Sequence, residues 1–259
     1  MIHFFRLHLY VVLVFIVVFG TSVHADDLIA GVYITPPKYI ITENGNVEGL
    51  CIEIMRALEK TDPQIQFSLD RFMPFSRVMD ELRSGVIDVY IGGAWTEERE
   101  KIYIYLQPPI YDVDLIMAVR SDDTVDVDSF DEIRSLEGDK TILSLFGTTS
   151  SKYILAQDGL KVDNDGKSLE ENLDKLLYPR ARFFFYHDLS LNYIVKQDAY
   201  KDKVRLLPHS YKHHSHYIVF SPMTPKSKVM MVQAALTKIS ESGELAAIVK
   251  KYKPNLHSQ

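Results

Sequence analysis

An α/β chain built as two similar halves is predicted by three observations. Short apolar, β-rich runs alternate with helically spaced apolar residues from Leu28 almost to the end. The alternation restarts around residues 115–119. No Pro/Gly-rich linker separates the two stretches, so lobes joined by strands are expected.

In the first half, residues 28–34 read as a strand, ended by Thr35-Pro36-Pro37, which cannot continue a ladder. Asn44-Gly45-Asn46 is a turn. Leu50, Ile54, Ala57 and Leu58 recur at helical spacing. Residues 65–69 alternate as a strand, and residues 75–82 form a helix stopped by Ser84-Gly85. Residues 86–91 are a largely apolar strand of the kind covered on both faces. This βαβαβ order predicts a parallel sheet flanked by helices.

In the second half, residues 115–119 are a strand, 130–136 a helix and 141–146 a strand. Gly147-Thr148-Thr149-Ser150 is a loop leading into a helix, and a further helix runs over 168–177. A strand at 181–186, a helix at 189–195 and strands at 204–207 and 217–220 follow. Two helices, 229–239 and 245–249, separated by Ser242-Gly243, close the chain. A ligand cleft between two such halves is the default expectation.

The 259 residues carry 29 Lys+Arg against 35 Asp+Glu, a net charge of −6. A mildly acidic balance without basic blocks argues against nucleic acid or an anionic membrane as partner. The single cysteine, Cys51, lies in an apolar stretch and reads as a buried structural thiol. At the start, Arg6 precedes an apolar run over residues 9–19, then Gly20-Thr21-Ser22 and the small-residue pattern Val23-His24-Ala25. This is the order of a signal peptide over residues 1–25, with Asp26 as the expected mature start. The run is about half of the roughly 20 apolar residues a spanning helix needs. No cysteine at that junction offers a lipid anchor, so a free protein held in a Gram-negative periplasm is expected.

Several motifs resemble, in order and spacing, family 3 of the extracellular solute-binding proteins, over residues 28–253. Arg83-Ser84-Gly85-Val86-Ile87-Asp88-Val89, then Thr96-Glu97-Glu98-Arg99-Glu100, then Pro108-Pro109-Ile110-Tyr111 resemble its lobe-one core. Pro37, Tyr39, Asn44-Gly45 and Gly49-Leu50-Cys51-Ile52-Glu53 are similar to its opening. Phe146-Gly147-Thr148-Thr149-Ser150 is similar to its lobe-two loop, and Ser242-Gly243-Glu244 to Lys251-Tyr252 to its ending. The resemblance implies a type II periplasmic-binding fold, with two α/β lobes, two hinge crossovers and a cleft between. Lobe one would be residues 26–113 plus 217–259, and lobe two residues 114–216.

Arg99 is the leading candidate for ligand binding. It sits in the first turn of a helix capped by Thr96, where the dipole favours acids such as Glu97 and Glu98. The alternative, a surface arginine paired along its own helix, would need an acid three or four positions away. Those positions hold Trp95, Thr96, Ile102 and Tyr103. A planar guanidinium gripping a carboxylate explains the placement, and the family's T-x-x-R arginine does that. Thr149 would offer a hydroxyl at a helix start, although Thr148, Thr149 and Ser150 serve equally as caps. Asp188 resembles the family acid that takes an α-ammonium, and equally suits capping the helix after it. Trp95 is an aromatic wall or core, with Tyr33 and Tyr39 opposite it by resemblance.

Departures from the family bear on the ligand. Gly92-Gly93-Ala94-Trp95 replaces serine or threonine donors, leaving backbone N–H groups such as that of Gly93. His209, His213, His214 and His216 cluster near the second crossover, and His214 and His216 share a face if that segment is a strand. With no cysteine or acid at ligand spacing, solvent-exposed histidines that tune closure near neutral pH are expected, not a metal site.

The expectation is a monomeric binding protein without cofactor or metal. It would hand an amino acid or related carboxylate or amine to an ABC permease in the inner membrane. A ligand sensor acting on a membrane partner is the alternative. A dehydratase-like enzyme recruiting Glu53 or Asp188 is another, but no nucleophile–base pair or metal triad supports it.

Overall fold

A computed structural model describes residues 27–178 and 180–253; the signal-peptide expectation lies outside them. Strand β1 (Leu28–Val32) is followed by a small hairpin, β2 (Ile40–Ile41) and β3 (Val47–Glu48), turning at Gly45 with φ 78°. Then come α1 (Leu50–Thr61), β4 (Phe67–Phe72), α2 (Phe75–Ser84), β5 (Val89–Ala94), the short α3 (Glu97–Glu100) and β6 (Ile104–Tyr105). The chain continues through β7 (Tyr111–Arg120), α4 (Phe130–Ser135), β8 (Ile142–Ser144), α5 (Thr149–Leu155), β9 (Val162–Asp163) and α6 (Leu169–Leu177). It closes with β10 (Phe183–His187), α7 (Asp188–Ile194), β11 (Val204–Leu206), β12 (Lys212–Phe220), α8 (Lys226–Glu241) and α9 (Glu244–Tyr252).

The principal strand order is β4-β1-β5-β12-β7-β10-β8-β9, with β6 on β12 and β11 on β7. The outer trios, β4-β1-β5 and β10-β8-β9, are parallel, as βαβ connections require. Between them run two antiparallel strands. β12 pairs with β5 through His216–Phe220 and with β7 through residues 212–216, opposite residues 111–115 of β7. β7 then pairs with β10 through residues 115–118. These two strands are the crossovers between the halves.

Several strand boundaries differ from expectation: the strand expected at 115–119 runs from Tyr111 to Arg120, that at 65–69 from Phe67 to Phe72, and that at 141–146 only from Ile142 to Ser144. The strand predicted to start at Val86 starts at Val89, because Gly85 caps α2 in the left-handed region (φ 76°) and a turn leads off it. It runs on through Gly92-Gly93, whose poor strand propensity is overridden by pairing with β12. The strand predicted to start at Tyr217 starts at Lys212, because its polar first half finds a partner in β7. Period-two alternation sorts β10 and the second half of β7: Leu115, Met117, Val119, Phe183 and Phe185 build one core, while Ile116, Ala118, Phe184 and Tyr186 face the other. Cys51 is fully buried as expected, and burial pushes its thiol up to about 11.

Candidate functional site

The site begins at the C-terminal end of β5, where the chain turns into α3. Thr96 caps that helix by accepting from Arg99 N at 3.2 Å. The cap sets the start of α3, and the Arg99 side chain turns inward to only 9% exposure. Its Nη1 donates to Ala94 O at 3.3 Å and, across the cleft, to Thr149 Oγ1 at 2.8 Å. The guanidinium also lies 5.2 Å from the centroid of the Phe75 ring.

Thr149 is available for that contact because its neighbour does the capping. Thr148 Oγ1 accepts from Ser151 N at 3.2 Å and donates to Leu145 O at 2.8 Å. The sequence left Thr148, Thr149 and Ser150 equivalent; the backbone conformation of the loop separates them.

Beside Thr149, the partner of Arg99, lies a cavity of ≈ 40 Å³ measured to water centres. Tyr33, Phe75 and Gly92 line it from one half, Thr148, Thr149, Tyr186 and His187 from the other, and His214 and His216 from the crossover strand β12. The Tyr33 and Phe75 rings are 5.8 Å apart, and Tyr33 Oη reaches Lys167 O of the second half at 3.5 Å. Among the lining residues that sequence reasoning missed are Lys38, Phe75, Tyr186 and His187. A signal for Lys38 was present, since it is the one charged residue in the stretch from Tyr33 to Ile41.

The histidines are not solvent-exposed as a group. His214 and His216 share the cavity face of β12, and His216 is only 6% exposed. Two strands close over it: His216 Nδ1 lies 3.2 Å from Tyr111 Oη, and the ring is paired with Tyr111 and His187. Burial, helped by the nearby Lys38 charge, holds His187 and His216 well below the ordinary histidine value. Burial and Lys212 bring His214 down to about 4. Among the described residues, no group of three His, Cys, Asp or Glu side chains is arranged to hold a metal ion.

The other expected site residues scatter. Trp95, 40% exposed, lines a second and more open cleft with Lys152, Tyr153, His213 and Tyr217. Tyr39 is fully buried, stacks on Tyr90 at 6.1 Å and donates to Ile91 O at 2.7 Å, so it braces β5 from within the core. Gly93 pairs with Tyr217, and the space where its Cβ would stand is taken by Val219 Cγ2, 2.5 Å away. Gly92, with φ 93°, is the glycine on the cavity. Asp188 does not line this cavity. Its Oδ1 accepts from Asp114 N at 3.0 Å and from Leu189 N at 2.7 Å, and its Oδ2 pairs with Lys253 Nζ at 2.8 Å.

The sequence profile described as bacterial extracellular solute-binding proteins, family 3, matches residues 28–255. No curated protein matches the chain. Among solved structures, a mutant of ArgBP from T. maritima superposes with a TM-score of 0.75 at 20% identity, covering 88% of this chain and 95% of that one. The GluR0 ligand-binding core from Nostoc punctiforme, in complex with L-glutamate, superposes at 0.72 and 19%, covering 87% and 98%. A substrate-binding protein of an amino acid ABC transporter superposes at 0.73 and 21%, covering 87% and 98%. At these identities the structural likeness speaks to the fold.

Proposed function

The chain belongs to family 3 of the bacterial extracellular solute-binding proteins, and on that premise we propose that it is a periplasmic clamp for one small polar solute. It acts by binding, not catalysis, as a monomer that delivers its solute to an ABC permease in the inner membrane. Its lobes are residues 26–113 plus 217–259 and residues 114–216, hinged where β7 and β12 cross. Arg99 and Thr149 are its ligand anchors, with Tyr33 as an aromatic wall.

One observation carries this reading. Arg99 of the first half and Thr149 of the second meet at 2.8 Å beside a cavity lined by both halves and the crossover strands. A ligand that accepts from both groups stabilises the closed arrangement, because only closure brings them together. No helix among the described residues is long and apolar enough to cross a membrane.

The test is thermal stabilisation of the purified protein by amino acids, opines, polyamines and small dicarboxylates. A solute bound only by the folded state raises the midpoint, by about 2.7 kcal/mol of stabilisation at a hundredfold excess over Kd. The expected result is a shift with at least one solute, lost in Arg99→Ala. A shift that survives Arg99→Ala overturns the site assignment.

A further inference from the structure

Lys38 is 4% exposed and lines the same cavity as Thr149, the partner of Arg99. Its ammonium makes no hydrogen bond or ion pair with any described residue. A buried cation without a counter-charge is costly, and proteins ordinarily pair it or expel it. The groups facing Lys38 offer no anion. The Cys51 thiol beside it is pushed up to about 11 and stays neutral. His187 and His216 feel the lysine charge and are held neutral as well. Burial lowers the Lys38 pKa to about 8, on the alkaline side of neutrality.

The rest of the lining has the same bias. No carboxylate among the described residues lines the cavity, and Asp188, the acid expected to receive an α-ammonium, is engaged by Lys253 elsewhere. His187 adds a second vacant donor. Its Nδ1 accepts the Ser190 N–H at 3.2 Å, so the neutral ring carries its hydrogen on Nε2. That Nε2 is buried without a partner. The Ala94 carbonyl, an acceptor at the cavity edge, is already taken by Arg99 and Tyr105.

The Lys38 ammonium, an unused N–H donor and hydroxyls line the cavity with no acid among them, and the Arg99 guanidinium is bonded to the Thr149 that also lines it. This bias matches a ligand that brings two negative charges and no ammonium. We infer that this clamp takes a small dicarboxylate, one carboxylate held by Arg99 and Thr149 and the other by Lys38 with His187. An α-amino acid would instead add an ammonium to a cavity that already holds Lys38 and no acid. This inference rests on the clamp reading above and adds the charge class of its ligand.

The experiment is calorimetric titration of the purified protein with matched pairs that differ only by the α-ammonium: succinate against L-aspartate, and glutarate against L-glutamate. The dicarboxylate of at least one pair is expected to bind tenfold or more tightly than its amino acid. Lys38→Met is expected to weaken that dicarboxylate tenfold or more while raising the thermal midpoint of the unliganded protein. An amino acid that matches or beats its dicarboxylate overturns the inference, as does binding unchanged in Lys38→Met. The first of these needs no variant and stands even if Lys38→Met fails to fold. Failure of both dicarboxylates also overturns it. In every one of these cases the clamp reading survives if another solute binds and Arg99→Ala abolishes it.

Discussion

Arg99 Nη1 donates to Thr149 Oγ1 at 2.8 Å, joining a helix start that follows β5 to a helix start that follows β8. The two residues lie 50 positions apart, on opposite halves of the molecule. Because the acceptor is a neutral hydroxyl, the guanidinium keeps its full positive charge for a ligand. The contact holds the halves together without consuming the charge that recognises the solute.

Removing the hydroxyl separates these two roles. Thr149→Val keeps shape and loses the acceptor. Ligand affinity should fall by about tenfold to a hundredfold, the range for a hydrogen bond to a charged group. Small-angle scattering of the unliganded variant should show a larger radius of gyration. An unchanged radius would mean that this bond does not bias closure.

Lys38 makes stability depend on alkaline pH. Its folded-state pKa of about 8 lies below the unfolded 10.5, so the penalty is full below pH 8 and is relieved as pH rises toward 10.5. Lys38→Met should exceed the parent protein in urea stability at pH 7 by up to about 3 kcal/mol. That margin should narrow between pH 8 and 10. A margin independent of pH would point to packing alone.

Acid acts through the histidines. His187, His214 and His216 all have folded-state values below 6.5, so the stability present above pH 6.5 is lost as pH falls toward those lower values, about 4 for His214. The loss should reach up to about 1.4 kcal/mol per pH unit for each histidine that must stay neutral. Thermal midpoints between pH 7.5 and 5 should drop, and His214→Gln should flatten the slope.

Asp188 and Lys253 form an ion pair at 2.8 Å, with side chains only 14% and 16% exposed. It ties the start of α7 to the chain just after α9. Asp188→Ala leaves the Lys253 ammonium with only the Asp112 carbonyl (3.1 Å) and no counter-charge, and two backbone N–H groups without their acceptor, so a loss of about 1–3 kcal/mol in urea denaturation is expected. Lys253→Met should cost less, since the carboxylate keeps those two N–H donors. The reverse order would show that the pair matters less than the lysine's own contacts.

Gly92 admits no side chain. Its φ is 93°, and an added Cβ would stand 2.4 Å from Tyr111 Oη and 3.0 Å from Cys51 Sγ. Gly92→Ala should destabilise by about 2 kcal/mol or more, combining backbone strain with a clash in a packed core. Adding Tyr111→Phe should recover part of the loss. No recovery would place the cost in the backbone.

Much of the site could be read from local chemistry. Arg99 was conspicuous because it opposes the helix dipole one turn after Thr96, and the structure finds it buried with its charge unspent. His214 and His216 shared a face once strand periodicity was assumed, and they do. Asp188 and Tyr39 were less legible. An acid after a strand, or an aromatic after a proline, has the same local signature whether it faces a cleft, a lysine 65 positions away or the core.

By itself, the sequence determined what repeats over a few residues: the alternation that sorts β10 and the second half of β7 onto two faces, the cap at Thr96, and the glycine turns. Those depend on side-chain period and backbone torsion, which neighbouring residues dictate. Only the tertiary structure decided that Lys38 is left unpaired, that Asp188 is spent on Lys253 and that the histidines are buried. Burial and the availability of a counter-charge are set by whichever distant strands close over a residue. No local stretch of the chain contains that information.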